Sequence, residues 1–264
     1  MIRNVIFEGK SIHYKVEGKG KPIILLHGFL ESLEMWDRFS DVLSCEHTVI
    51  RIDLPGFGKS QSIGKTHSME LMAGSVKAVM EQEQIEKVVM VGHSMGGYAA
   101  LAFADKYPEH LTGLCLFHSQ AAADTEEAKA NRERTVQIVG QDRFGFISNF
   151  IPDLFAPENI QKFSRQIESL KSSAMLTSKE GVIAALRGMK ERTEKFELLD
   201  KLVIPILFIA GKKDKRIPAT TIMEQALLPS HSEVLLLGNV GHMGYIEAEK
   251  ETLGTLRCFM KKCV

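Results

Sequence analysis

The sequence predicts an α/β protein: a mostly parallel central sheet flanked by helices. Three observations carry that expectation. Solid aliphatic runs recur along the chain, among them residues 23–26, 88–91 and 204–209, and such runs suit strands buried on both faces. Segments of helical periodicity separate them, so successive strands are joined by right-handed crossovers. The chain has 264 residues and is 44% hydrophobic, enough for one large domain with one sizeable core.

Residues 1–17 alternate in polarity around Val5 and again over 12–16, which predicts an antiparallel hairpin turning at Gly9-Lys10. The run 23–26 follows as a buried strand. A helical segment over 35–43 leads to a strand at 47–52, and helical periodicity over 69–84 leads to the strand 88–91. A helix from about Met95 stops at Tyr107, before Pro108, and the strand 113–117 comes next.

The alternation then lapses between about Gln120 and Leu202. Ile160, Phe163, Ile167 and Leu170 recur at helical spacing, and Thr177-Ser-Lys-Glu180 reads as a capping box opening another helix. Strands resume at 204–209 and 233–237, and a helix closes the chain from about Ile246. The expected division is a core of residues 1–119 and 203–264 with a helical lid inserted at 120–202. A helical layer that pads the core is the plainer reading of that insertion. Within it, Phe144, Phe146, Phe150, Ile151, Leu154 and Phe155 suit either a pocket wall or packing against the main domain.

Charge narrows the function. Lys plus Arg and Asp plus Glu number 33 each, so the chain lacks the basic excess with which nucleic-acid binders neutralise phosphates. No apolar run is long enough to span a membrane, and the N-terminus reads as a strand rather than a leader. Cys45, Cys115, Cys258 and Cys263 have no metal-ligand spacing. The expectation is a cytoplasmic protein with reduced thiols, no nucleic-acid or membrane partner, and no metal or cofactor motif.

One stretch carries chemistry: Gly92-His93-Ser94-Met95-Gly96. A G-x-S-x-G match alone is weak, since a chain of this length contains one by chance about one time in ten. Its context is stronger. It follows a buried strand and opens a helix, the placement in which a sharp turn lifts a serine hydroxyl above the sheet. A serine hydroxyl needs a base at neutral pH. Asp214 lies after the strand 204–209 and His242 after the strand 233–237, in a flexible glycine-flanked loop, so nucleophile, acid and histidine arrive in the order this architecture uses. An oxyanion hole needs two backbone N–H groups. Met95 follows the serine, and Phe29 follows His27-Gly28 at the end of an early strand, where Gly28 lets the backbone pass close to substrate.

These residues, with Asp53-Leu-Pro-Gly-Phe-Gly-Lys-Ser60, Tyr107-Pro-Glu-His110 and Gly211-Lys-Lys-Asp214, resemble the α/β-hydrolase superfamily over nearly the whole chain. The resemblance implies a serine hydrolase similar to small carboxylesterases and enol-lactonases. Relatives with an aspartate nucleophile, the haloalkane dehalogenases and epoxide hydrolases, are set aside because position 94 is Ser. Met243 stands where hydroxynitrile lyases have Lys and where carbon–carbon bond hydrolases have Trp. The expected activity is cleavage of a small-molecule carboxylic ester, thioester or lactone through an acyl-enzyme on Ser94, with a small or medium acyl pocket. Cofactor-free perhydrolysis of the haloperoxidase type, and a non-catalytic receptor on the same fold, stay open as alternatives.

Overall fold

In the computed structural model, which describes residues 1–263, the aliphatic runs pair into one eight-stranded sheet. Strands β1 (Ile2–Phe7) and β2 (Lys10–Glu17) form the antiparallel hairpin. There follow β3 (Lys21–Leu26), helix α1 (Asp37–Leu43), β4 (His47–Ile52), α2 (Met69–Gln82), β5 (Val88–His93), α3 (Met95–Lys106) and β6 (Leu111–Phe117). Helices α4 (Glu126–Phe150), α5 (Ser164–Ala174), α6 (Lys179–Glu191) and α7 (Phe196–Lys201) come next. The chain ends with β7 (Ile206–Gly211), α8 (Ala219–Ala226), β8 (Ser232–Leu237), α9 (Gly244–Glu247) and α10 (Glu249–Met260).

The strand order is β1-β2-β4-β3-β5-β6-β7-β8. From β4 onward all neighbours are parallel, and the hairpin joins antiparallel at the β4 edge. Burial follows position in that order. Every residue of β5 and β7 is buried, while the edge strand β1 alternates between exposed and half-buried residues. Ile23, Ile24, Leu25 and Leu26 of β3 have no exposed surface, and such burial contributes about 1.5–3 kcal/mol per side chain.

The chain leaves β3 toward β4 on one side and leaves β5 toward β6 on the other. The carboxyl ends of the adjacent strands β3 and β5 therefore flank a topological switch point, where a crevice opens above an α/β sheet. Ser94 and the His27–Gly28–Phe29 turn both sit there.

Several boundaries differ from the sequence expectation for local reasons. The segment 35–43 splits into a 3₁₀ turn at Leu33–Trp36 and α1. Strand β7 begins at Ile206, because Pro205 has no N–H to give the ladder. The helix expected from Ile160 starts at Ser164, after a 3₁₀ turn at Pro157–Asn159. Helix α6 is capped by Ser178, whose hydroxyl accepts from the Gly181 N–H at 3.0 Å, and not by Thr177. The closing helix starts two residues early as α9 and breaks at Ala248 before α10.

Residues 120–202 carry helices α4 to α7. Thr125 caps α4 by accepting from the Ala128 N–H, and α4 kinks at Asp142, whose φ of −142° and ψ of 81° leave the helical region. The aromatic cluster divides between its two readings. Phe146, Phe150 and Leu154 line a cavity, Ile151 and Phe155 are packed away, and Phe144 is exposed. No helix is long and apolar enough to cross a membrane among the described residues.

Candidate active site

The turn between β5 and α3 is sharp. Ser94 has φ 50° and ψ −114°, a conformation that L-residues rarely adopt and that persists only when the surroundings enforce it. Hydrogen bonds to its backbone do so here. The Ser94 N–H donates to the Phe117 carbonyl at 3.0 Å, and the Ser94 carbonyl accepts from the Gly97 N–H at 2.9 Å and from the Ser119 hydroxyl at 2.8 Å. A Cβ at Gly96 would lie 2.6 Å from the carbonyl oxygens of Leu26 and His27, so only glycine lets α3 close down on β3. Ser94 opens into a cavity of about 900 Å³, whose wall also includes Phe29, Tyr98, Phe146, Phe150 and His242.

His242 and Asp214 are brought together as the sequence predicts. The His242 Nδ1–H donates to Asp214 Oδ2 at 2.7 Å, with both residues buried. Asp214 Oδ1 accepts from the backbone N–H groups of Arg216 at 2.8 Å and Ile217 at 3.1 Å. Burial alone raises a carboxyl pKa, but the imidazoles of His242 and His118 and their hydrogen bonds overcome it and hold Asp214 well below the ordinary range. The carboxylate is ionised, so it accepts from both histidines.

Gly241 and Gly244, on either side of His242, serve packing rather than flexibility. A Cβ at Gly241 would lie 2.6 Å from the Ala156 nitrogen and the Leu154 carbonyl oxygen. The His242 N–H donates to that carbonyl at 2.7 Å, and Glu247 accepts from the N–H groups of Gly241 at 2.9 Å and Ala156 at 3.0 Å. The histidine loop is thus fastened to the segment before α5.

Phe29 and Met95 stand on either side of the crevice. Their backbone N–H groups donate to no protein acceptor among the described residues. Gly28 has a different task from the one expected of it. A Cβ there would crowd Glu31 and His93 rather than a substrate, and the Gly28 N–H donates to Glu31 Oε2 at 2.8 Å.

Two buried polar groups escape sequence reasoning. The first is Glu31 with His93 and Tyr245. Glu31 Oε2 accepts from His93 Nδ1 at 2.8 Å, and Oε1 accepts from the Tyr245 hydroxyl at 2.8 Å. His93 Nε2 faces the His242 carbonyl at 3.0 Å. Both imidazole nitrogens face acceptors, an arrangement that suits a doubly protonated ring beside an ionised Glu31. Burial opposes both charges, yet mutual attraction raises the His93 pKa and lowers that of Glu31. The second is His118, whose Nδ1 lies 3.1 Å from Asp214 Oδ2. Its signal was its place at the carboxyl end of β6; that of Glu31 and His93 was their adjacency to the turns themselves.

Among the described residues, His118, Asp214 and His242 form a set with metal-ligand chemistry, and their facing atoms are spent on hydrogen bonds to one another. Asp53, in the loop after β4, accepts from the N–H groups of Leu33 at 2.8 Å and Lys59 at 2.9 Å, a structural clasp.

Comparison with known proteins agrees with this architecture. Residues 21–158 match the family described as alpha/beta hydrolase fold. A thermophilic esterase from Thermogutta terrifontis superposes with a TM-score of 0.94 at 32% identity, covering 100% of this chain and 99% of that one. A pimeloyl-[acyl-carrier protein] methyl ester esterase from Citrobacter koseri is 28% identical over 263 residues, 96% of this chain and 99% of that protein. The dihydrolipoyllysine-residue acetyltransferase component of an acetoin cleaving system from Pseudomonas putida is 29% identical over 255 residues, covering 92% of this chain. The chain spans 64% of the length of that relative. With the parallel sheet, the strained serine turn at its switch point and these likenesses together, the chain belongs to the α/β-hydrolase family and is a hydrolase.

Proposed function

We propose that the protein cleaves carboxylic esters, thioesters or lactones through an acyl-enzyme on Ser94. The observation that carries this reading is the 2.7 Å His242–Asp214 hydrogen bond beside a cavity that Ser94 and His242 share. His242 Nε2 takes the Ser94 hydroxyl proton as Oγ attacks the substrate carbonyl, while Asp214 fixes the imidazole tautomer and stabilises its cationic form. The free N–H groups of Phe29 and Met95 receive the developing oxyanion. Collapse of the tetrahedral intermediate expels the alcohol, thiol or ring oxygen, which takes the proton from His242. Water, deprotonated by the same imidazole, then releases the acid and restores Ser94.

We read residues 120–202 as the lid and residues 1–119 and 203–264 as the core, because α4 supplies Arg132, Phe146 and Phe150 to the cavity wall opposite Ser94. The cavity is large, yet Asp124, Arg132, Lys215 and Arg216 interrupt its apolar lining. This mixed lining favours short to medium acyl groups over a long alkyl chain. The similar Thermogutta esterase was solved with malate bound, a small polar molecule, in keeping with a wall of this mixed character.

The test is a panel of p-nitrophenyl esters of rising acyl length, run beside lactones and acyl-CoA thioesters, with a fluorophosphonate probe for the nucleophile. The expected result is a maximum at short to medium acyl length, with turnover and labelling both lost in Ser94→Ala. Near-normal turnover by Ser94→Ala removes the proposal.

A further inference from the structure

His118 is a second histidine on the acid. It follows β6 directly, adopts a positive φ of 47° and has no exposed surface. Its Nδ1 lies 3.1 Å from Asp214 Oδ2, the same oxygen that His242 engages. The ionised carboxylate has no proton to give, so His118 is the donor and carries its proton on Nδ1. Its Nε2 has no hydrogen-bond partner and faces Gly244, where any Cβ would collide with it. The His118 N–H is also anchored from behind, since the backbone N–H of His118 donates to the Ile209 carbonyl at 2.8 Å.

Resting on the Ser94–His242–Asp214 reading, we infer that His118 is a positioning residue that divides Asp214 Oδ2 between two imidazoles and so weakens the hold of the carboxylate on the protonated form of His242. A carboxylate oxygen that accepts a second N–H carries less unshared charge toward the first. The His242 imidazolium formed during acyl transfer then returns its proton to the leaving group more readily, and the enzyme keeps its free base to lower pH.

His118 itself must stay neutral for this. Burial pushes its pKa down to about 4, against the opposing pull of Asp214. The groups facing the two imidazoles enforce the same state. His93, at the end of β5, packs 6.1 Å from His118 and 5.1 Å from His242 between ring centroids, and its charge is matched by Glu31, which Tyr245 of α9 also engages. Asp214 is the charged group that touches His118 directly.

The experiment measures kcat/KM on a p-nitrophenyl ester from pH 5 to 9 for the wild type, His118→Ala and His118→Asn. Asn tolerates positive φ, and its amide nitrogen reaches the place of Nδ1. The acid limb of His118→Ala is expected to move up by about 0.5–1 pH unit, a fraction of the shift that a direct charge partner produces. His118→Asn is expected to return it to the wild-type position. An acid limb in active His118→Ala that overlays the wild type overturns the inference, as does a His118→Asn limb that stays with Ala. Where turnover by His118→Ala is too slow to profile, the pH dependence of fluorophosphonate labelling reads the same ionisation, with the same two outcomes. Failure of the underlying triad reading appears separately, as labelling that survives Ser94→Ala.

Discussion

Replacing Glu31 with Gln tests whether the pair behind the active site is ionised. Glu31 and His93 are 6% and 1% exposed, so neither charge has water to fall back on. Gln keeps the shape and can still accept from the Gly28 N–H and from His93 with its carbonyl oxygen, while the Tyr245 hydroxyl turns to accept from the new amide. The charge is lost. His93 then sheds its second proton and can no longer donate both to residue 31 and to the His242 carbonyl. Removing one partner of a buried pair costs roughly 3–5 kcal/mol, and the retained hydrogen bonds put this case near the lower end, about 3 kcal/mol. At about 2.1 cal/mol/K per residue, a 264-residue chain loses roughly 5 °C of Tm for that amount.

The pH dependence has a definite sign. The folded pKa of His93 is raised, so its contribution is complete below the unfolded value near 6.5 and disappears as pH rises through the folded value. The folded pKa of Glu31 is lowered, so its contribution is present above about 4.3 and disappears as pH falls through the folded value. Thermal melts of the wild type and Glu31→Gln are therefore expected to differ most between about pH 5 and 6.5 and to converge toward alkaline pH. A gap below 1 °C at pH 6, or one that stays constant to pH 9.5, refutes an ionised pair.

Two further substitutions probe the site and the insertion. Asp214→Asn puts an amide where His242 needs an acceptor, and kcat is expected to fall by about 10³–10⁴-fold with the fold intact, a loss that steady-state kinetics and circular dichroism check together; a loss under tenfold contradicts the assigned acid. Asp124 pairs with Arg132 of α4 and, at 2.6 Å, with the buried Arg192 that follows α6. Asp124→Asn strands the Arg192 charge and is expected to cost about 3 kcal/mol, read as a Tm lower by roughly 5 °C, whereas an unchanged Tm shows that the guanidiniums find other partners.

What could be read from the chain has a common physical origin. The central strands follow from aliphatic runs buried on both faces, and Ser94, Asp214 and His242 announce themselves because each follows a strand at its carboxyl end. The rule that ligands and catalysts gather there converts a position in sequence into a position in space. Local errors arose where two chemically equal choices lie side by side. Thr177 and Ser178 both suit a cap, and the structure places Ser178 there, accepting from the Gly181 N–H. In the sequence, Gly241 and Gly244 suggest looseness, and Gly28 suggests room for substrate. They are contact points, which periodicity cannot distinguish from freedom.

The groups that escaped are pairs rather than residues. Glu31 meets His93 across 62 positions and Tyr245 across 214, and His118 meets Asp214 across 96. Each looks ordinary until the sheet brings its partner within 3.1 Å or less, and only then does burial turn a common side chain into an ion pair or a shared acceptor. The same geometry explains why they cluster here. The connections after β3, β5, β6, β7 and β8 converge at the carboxyl edge of the sheet and bring backbone groups that no strand ladder satisfies. Glu31 takes up the Gly28 N–H, His93 takes up the His242 carbonyl, and Asp214 takes up the Arg216 and Ile217 N–H groups. The N–H groups of Phe29 and Met95 are left over at this edge. A fold that satisfied them too would remove the two donors on which the proposed acyl transfer depends.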